Sequence, residues 1–199
     1  MWKAILLIVL VLLGCFAIYE AYKPAPSSLV AIYTYYYNQM GKTDYKSKLL
    51  NYTVLMHDPI AGLNYTELVY WVHRHLTYTT DPNIARTNMP LEILASGVGR
   101  CGEFSLLYTG LCLAVGIPVR LIVDESTQKN WSKTGGAGDH MWCEVFENQT
   151  HVEVTQSLEG SSGLIVNQPH YYTDVWNKDV NKVTAIDYSG AHDDTERYV

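Results

Sequence analysis

The sequence predicts an α+β fold, with helices in the first half and a mainly antiparallel β-sheet in the second. Two observations carry this. Up to Gly116 the apolar residues recur at three- and four-residue spacing, and beyond it the period shortens to two over 118–124, 141–146 and 150–155. Helices followed by consecutive strands is the pattern of a layered α+β domain. A chain of 199 residues, 48% hydrophobic and 17% charged, is globular in composition and by default one domain. Its net charge of -6 gives no electrostatic case for nucleic acid. No internal repeat is visible.

In chain order, Met1-Trp2-Lys3 precedes an apolar run from Ala4 to Ile18. The run is apolar on every face, which suits a core helix poorly, and with its basic start it reads as an export signal or signal anchor. Residues 1–23 are assigned to that segment, 24–30 to a linker containing Pro24-Ala25-Pro26-Ser27-Ser28, and 31–199 to the folded domain. Leu12-Leu13-Gly14-Cys15 is a loose lipobox, so a lipid on Cys15 is the alternative anchor. In both cases the domain is expected at the membrane, on the extracytoplasmic side. Four N-x-[ST] sequons, at Asn51, Asn64, Asn130 and Asn148, agree with that side, each weakly.

Ser27 to Met40 reads as a helix stopped by Gly41, its clustered tyrosines packing on the domain rather than forming a glycan-binding face. A polar, irregular stretch is expected next. Asn64 to Tyr78 reads as a helix with Leu68, Val69, Trp71, Val72 and Leu76 as its apolar stripe, and Asn64 is as good an N-cap as a glycosylation acceptor. A loop follows over 79–89, then a short helix from Pro90 to Leu94 with proline in its first turn. Gly97 and Gly99 break the chain. A new helix starts near Cys101, buries Phe104, Leu107, Leu111 and Val115, and stops at Gly116. A polar loop, Glu125 to Asp139, separates the first two strands, and Lys182 to Tyr188 is a last strand.

Apart from Cys15 there are three cysteines, Cys101, Cys112 and Cys143, and an odd number outside the cell leaves at least one thiol unpaired. No Cys-x-x-Cys pair is present, so no structural zinc is expected. Cys112, mid-helix, reads as a buried small hydrophobe, and Cys143 on its strand reads the same way. Cys101 does not fit that reading. It lies in Gly97-Val98-Gly99-Arg100-Cys101-Gly102 at a helix start, where unpaired N–H groups and the helix dipole favour a thiolate and can hold an oxyanion. Arg100 adds positive charge, and flanking glycines would let a substrate carbonyl approach. A nucleophilic thiol needs a base. His140 begins a strand after the loop, and alternation puts His140, Trp142 and Glu144 on one side of the sheet. His57, His73, His75, His151, His170 and His192 read as surface or capping residues.

These two segments resemble the transglutaminase-like superfamily of papain-like thiol enzymes, and within it the peptide:N-glycanases. That family's Gly-Arg-Cys-Gly-Glu-aromatic motif is matched by Gly99 to Phe104, and its Asp-His-x-Trp-x-Glu-Val motif by Asp139 to Val145. Asn88-Met89-Pro90-Leu91-Glu92-Ile93-Leu94 is similar to its turn before the nucleophile. Asn167-Gln168-Pro169, Trp176-Asn177-Lys178 and Thr195-Glu196-Arg197-Tyr198 look like its tail, so the likeness runs from about Asn64 to Val199. The resemblance implies a papain-like core in which Cys101 attacks an amide carbonyl to form a thioester. His140 takes the thiol proton and returns it to the leaving nitrogen. In the glycanases the amide is the glycosylated asparagine side chain.

The family's third residue is an aspartate on the next strand. In His151-Val152-Glu153-Val154-Thr155-Gln156-Ser157 that register falls on Thr155, which lacks the charge to stabilise an imidazolium. A shift of one gives Gln156, and Glu153 is the carboxylate close by. Three readings stay open: a neutral orienter, a different acid, or a degenerate domain that binds without turnover. The catalytic reading leads because Cys101 and His140 stand in intact motifs. A deglycosylating amidase on glycoproteins is expected first. A cysteine protease or transglutaminase on peptide or glutamine amides, or a glycoprotein- or peptide-binding module, is the alternative. No metal or organic cofactor is expected. The upstream Cys-x-x-Cys zinc pair of the family's cytosolic glycanases is absent from this sequence.

Overall fold

A computed structural model describes residues 29–79, 81, 89–124, 140–145, 150–154, 164–166 and 182–198. Residues 1–28, with the apolar run and Cys15, lie outside that set. Among the described residues no helix is long and apolar enough to cross a membrane.

Helix α1 (Leu29–Met40) ends where Gly41 donates its N–H to the Tyr37 carbonyl at 3.0 Å. Tyr37 is buried and Tyr33 and Tyr36 pack against the core, so this tyrosine helix faces the domain. The stretch after Gly41 departs from expectation. It is not irregular but forms α2 (Thr43–Leu55), in which only Leu49 and Thr53 are fully buried. Tyr45, Leu50 and Tyr52 flank them. That stripe is too thin in apolar residues to stand out from a polar background.

Asn64 caps α3 (Tyr65–His75), its Oδ1 accepting the N–H of Thr66 and of Glu67 at 3.0 Å each. The Glu67 carboxylate accepts the Asn64 N–H at 2.8 Å, completing a capping box. The helix stops at His75 rather than Tyr78. Thr77–Tyr78 is a short strand, β1, running parallel to β2 (Val98–Gly99). Thr77 and Thr79 donate to the carbonyls of Gly97 and Gly99 at 2.9 Å each, a tertiary pairing that a helical pattern does not reveal. Between the two lies α4 (Pro90–Ser96), ended by Gly97 at φ +67°.

Helix α5 (Cys101–Val115) is the centre of the domain, buried continuously from Gly102 to Leu113 and stopped by Gly116 at φ +83°. Helix α4 lies so close to it that a Cβ on Gly110 would come within 2.5 Å of Pro90 Cγ.

Six antiparallel strands follow, in the order β6-β5-β4-β3-β7-β8. They are β3 (Val119–Asp124), β4 (His140–Val145), β5 (Thr150–Glu153), β6 (Leu164–Val166), β7 (Val183–Asp187) and β8 (Gly190–Asp193). β6 and β8 were not expected, being three and four residues long. The inner face, with Leu121, Val123, Met141, Cys143 and Val145, joins α5 in one core. The outer face, with Ile122, Trp142, Val183 and Ala185, forms a second cluster with Tyr198, which follows a 3₁₀ turn at Thr195–Arg197. The fold is the expected one: helices, with Cys101 at a helix N-terminus, on an antiparallel sheet.

Candidate active site

The turn into α5 is built around one close approach. A Cβ on residue 99 would sit 2.6 Å from the Glu103 Cβ, so only glycine fits there. Glu103, 4% exposed, folds back and its carboxylate accepts the Arg100 N–H at 2.9 Å. The space that a side chain at residue 99 would take is therefore filled by the helix's own glutamate. The Arg100 guanidinium reaches the Asp81 carbonyl at 3.2 Å. Cys101 is the first residue of α5 and half-buried against the core. It stands where the first unpaired N–H groups of the helix and its dipole meet the thiol. Cys112 and Cys143 are fully buried, as expected, and burial pushes the Cys112 thiol well above its ordinary value.

The register of α5 on β4 locates His140 relative to Cys101. Ser105 Oγ donates to the Met141 carbonyl at 3.0 Å, and Thr109 Oγ1 lies 3.4 Å from Cys143 Sγ. Four residues of helix, about 6 Å, thus match two residues of strand, about 6.6 Å. Helix and strand run in the same direction. One turn before Ser105 is Cys101, and one residue before Met141 is His140. Both candidates stand at the same end of the layer. Cys143 points at α5, so Trp142, Glu144 and His140 take the outer face, the shared side that alternation predicts. The His140 ring stacks on Trp142 with centroids 5.8 Å apart and planes at 26°. Thr155 and Gln156 lie outside the described residues, and Glu153 closes β5.

His151 and His73 are not the surface or capping residues expected from sequence, whereas His75 has the capping role, its Nδ1 2.8 Å from the Trp71 carbonyl in the last turn of α3. His151 is 1% exposed and stacks on Trp142, with centroids 5.5 Å apart and planes at 16°. His73 packs edge-on to Phe104 at 5.5 Å, with Nε2 2.7 Å from the Val154 carbonyl. His75 stacks on Trp71 at 3.7 Å. His57 and His192 are exposed, as read, and His170 lies outside the described residues.

Beside Trp142 sits a knot of charge that sequence reasoning missed. Glu144, 2% exposed, accepts from Arg120 Nε at 2.7 Å, from Arg197 Nη1 at 3.0 Å and from the Tyr198 hydroxyl. Asp194 joins the same two arginines at 2.8 and 2.9 Å. Burial raises the Glu144 carboxyl above its usual range, although Tyr198 and Arg120 pull it down. In the sequence, Glu144 and the Thr195-to-Tyr198 segment each belong to a motif of the family resemblance, but nothing there joins the two. On the β7–β8 hairpin, Asp187, Ser189 and His192 suggest a hydrolytic triad. Both Ser189 Oγ and Asp187 Oδ1 approach the same His192 Nε2, at 2.7 and 3.1 Å, so the two-sided relay of a triad is not formed. Among the described residues no group of three or more His, Cys, Asp or Glu is gathered as for a metal ion.

Residues 51–155 match the family model described as the transglutaminase-like superfamily. The chain belongs to that superfamily. Within this transglutaminase-like group, curated relatives carry the name peptide-N(4)-(N-acetyl-beta-glucosaminyl)asparagine amidase. One, from Arabidopsis thaliana, is 30% identical over 138 residues, covering 67% of this chain and 17% of the relative. Another, from Saccharomyces cerevisiae, is 32% identical over 118 residues, covering 57% and 27%. The chain thus spans under a third of the length of these relatives. Among solved structures, a chain of a Rad4/XPC nucleotide excision repair complex superposes with a TM-score of 0.53 at 14% identity, covering 86% of this chain and 47% of that one. That likeness is one of fold.

Proposed function

We propose that this transglutaminase-like chain is a thiol amidase that removes N-linked glycans from glycoproteins, working outside the cytoplasm and held to the membrane by its N-terminal segment. The observation that supports it most is the helix–strand register, in which Cys101 and His140 begin α5 and β4 at the same end of the layer. The relatives' names supply the substrate class.

In this reading His140 takes the Cys101 proton, and Sγ attacks the side-chain carbonyl of a glycosylated asparagine. The oxyanion meets the first N–H groups of α5. As the C–N bond breaks, His140 protonates the nitrogen, which leaves as a glycosylamine. Water then cleaves the thioester, giving aspartate and the free thiol. The test uses the full chain in detergent micelles and a glycopeptide, followed by mass spectrometry. Glycan release with conversion of asparagine to aspartate is expected, falling about a thousandfold or more in Cys101→Ala. Backbone cleavage or amine incorporation instead would sink the glycanase reading in favour of the protease or transglutaminase alternative. The absence of a carboxylate at Thr155 favours one other reading, a module that binds without turnover. Glycopeptide binding with no product from the wild-type chain would establish it.

A further inference from the structure

We propose that Asp124 is the acid that orients and charge-compensates His140, a positioning residue reaching it from β3 rather than from β5. This rests on the thiol-amidase reading of Cys101 and His140 and names a group that reading leaves open.

The β3–β4 ladder runs from Val119↔Val145 to Asp124↔His140, so Asp124 and His140 are directly opposite. Side chains of directly opposed residues share a face, with Cβ atoms about 4.5–5.5 Å apart. The same ladder shows which face. Arg120 opposite Glu144 makes an ion pair, and Ile122 opposite Trp142 packs in the outer cluster. Asp124, two residues on from Ile122, falls on that outer face. The His140 ring is on it too, since it stacks on Trp142. Trp142 therefore acts as a floor that keeps the imidazole on the side where the carboxylate stands.

Burial makes this more than proximity. Asp124 is 0% exposed. A carboxylate in such a place interacts through protein rather than bulk water, and an anion within about 4–6 Å favours the charged form of its neighbour. The other groups around His140 do not duplicate it. Glu144 is on the same strand but four residues away, and it is held by Arg120, Arg197 and Tyr198. His151, opposite Glu144 on β5, carries no negative charge. Lys182, exposed and opposite in charge, precedes Val183, the partner of Asp124 on β7. Cys101, at the start of α5, is the proton donor in the thiol-amidase reading. Asp124 is thus the one buried carboxylate set directly across from the imidazole among the described residues.

The experiment follows the His140 ring and the Cys101 thiol separately, in the full chain in detergent micelles. NMR titration of His140 is compared in the wild type, Asp124→Asn, Asp124→Glu and Thr155→Ala, and iodoacetamide labelling of Cys101 is followed across pH in the same four. In Asp124→Asn the His140 titration is expected to move down by about one pH unit or more, and labelling at neutral pH to fall about tenfold. Asp124→Glu should restore part of both, and Thr155→Ala should move neither by comparable amounts. A His140 titration that ignores Asp124→Asn overturns the assignment, whatever Cys101 does. If that variant does not fold, the wild type still decides: His140 titrating below the ordinary histidine range overturns it, and above it supports it. If His140 responds to Asp124 while Cys101 labels no faster than a free thiol, the Asp124 assignment stands and the thiol-amidase reading fails.

Discussion

On the inner face of the sheet, Leu121, Val123, Cys143 and Val145 meet a helix that is buried along nearly its whole length. On the outer face, Trp142 lies among two imidazoles, a glutamate, two arginines and Tyr198, and three of these, His151, Glu144 and Tyr198, are as dry as the inner core. The inner face is stabilised by transfer of apolar surface, which is tolerant of detail. The outer face is held by charge-assisted bonds that satisfy one another only when every partner is present. Removing one member there leaves buried charge behind, whereas removing a methylene from the inner face leaves a hole. The end of the layer that carries Cys101 and His140 sits where the two regimes meet.

The largest expected effect comes from Glu144→Ala, which takes from Arg120 and Arg197 the more buried of the two anions they share and leaves them Asp194 alone. It should cost about 3–5 kcal/mol in urea unfolding. Leu107→Ala on α5 should cost about 2–5 kcal/mol through the cavity it opens. The double variant should be additive to within about 0.5 kcal/mol. A larger coupling would show that β4 transmits strain between the faces and that they are not independent.

Alkali probes both faces next. Burial, the largest cause, raises the hydroxyls of Tyr108 on the inner side and Tyr198 on the outer side above the ordinary tyrosine value. The folded state keeps them protonated, so their contribution is whole below about pH 10 and is lost as pH climbs further. Urea stability should hold from pH 7 to 9 and then fall, each group adding up to about 1.4 kcal/mol per pH unit. Tyr108→Phe and Tyr198→Phe should each flatten that fall. An unchanged slope in Tyr198→Phe would mean that water reaches the outer face.

The smallest effect is a control away from both. Asn64→Ala removes the cap of α3 and should cost about 1 kcal/mol, with the His140 titration unmoved. A moved titration would tie α3 to the site.

The inner face was legible because its apolar residues lie close in sequence and repeat with the period of their own element. Cys101 and His140 stood out as candidates for a related reason: each sits at a break in pattern, glycines on one side and a polar loop on the other. The outer face was not. His151 and Glu144 alternate with apolar neighbours, as residues on a wetted face do, and what covers that face is Tyr198 and its neighbours, brought in from much later in the chain. α2 was missed because two fully buried residues make no stripe, and β1 because its partner lies beyond α4.

The strand order has a consequence for how the molecule assembles. β3 is flanked by β4 and β7, yet β7 becomes available only after β4, β5 and β6 have been made. Until then one edge of β3, with Asp124 at its end, offers open N–H and C=O groups to any extended segment that drifts past. A nascent chain halted in that interval holds a nearly finished helical half beside an open strand edge, the kind of species that aggregates.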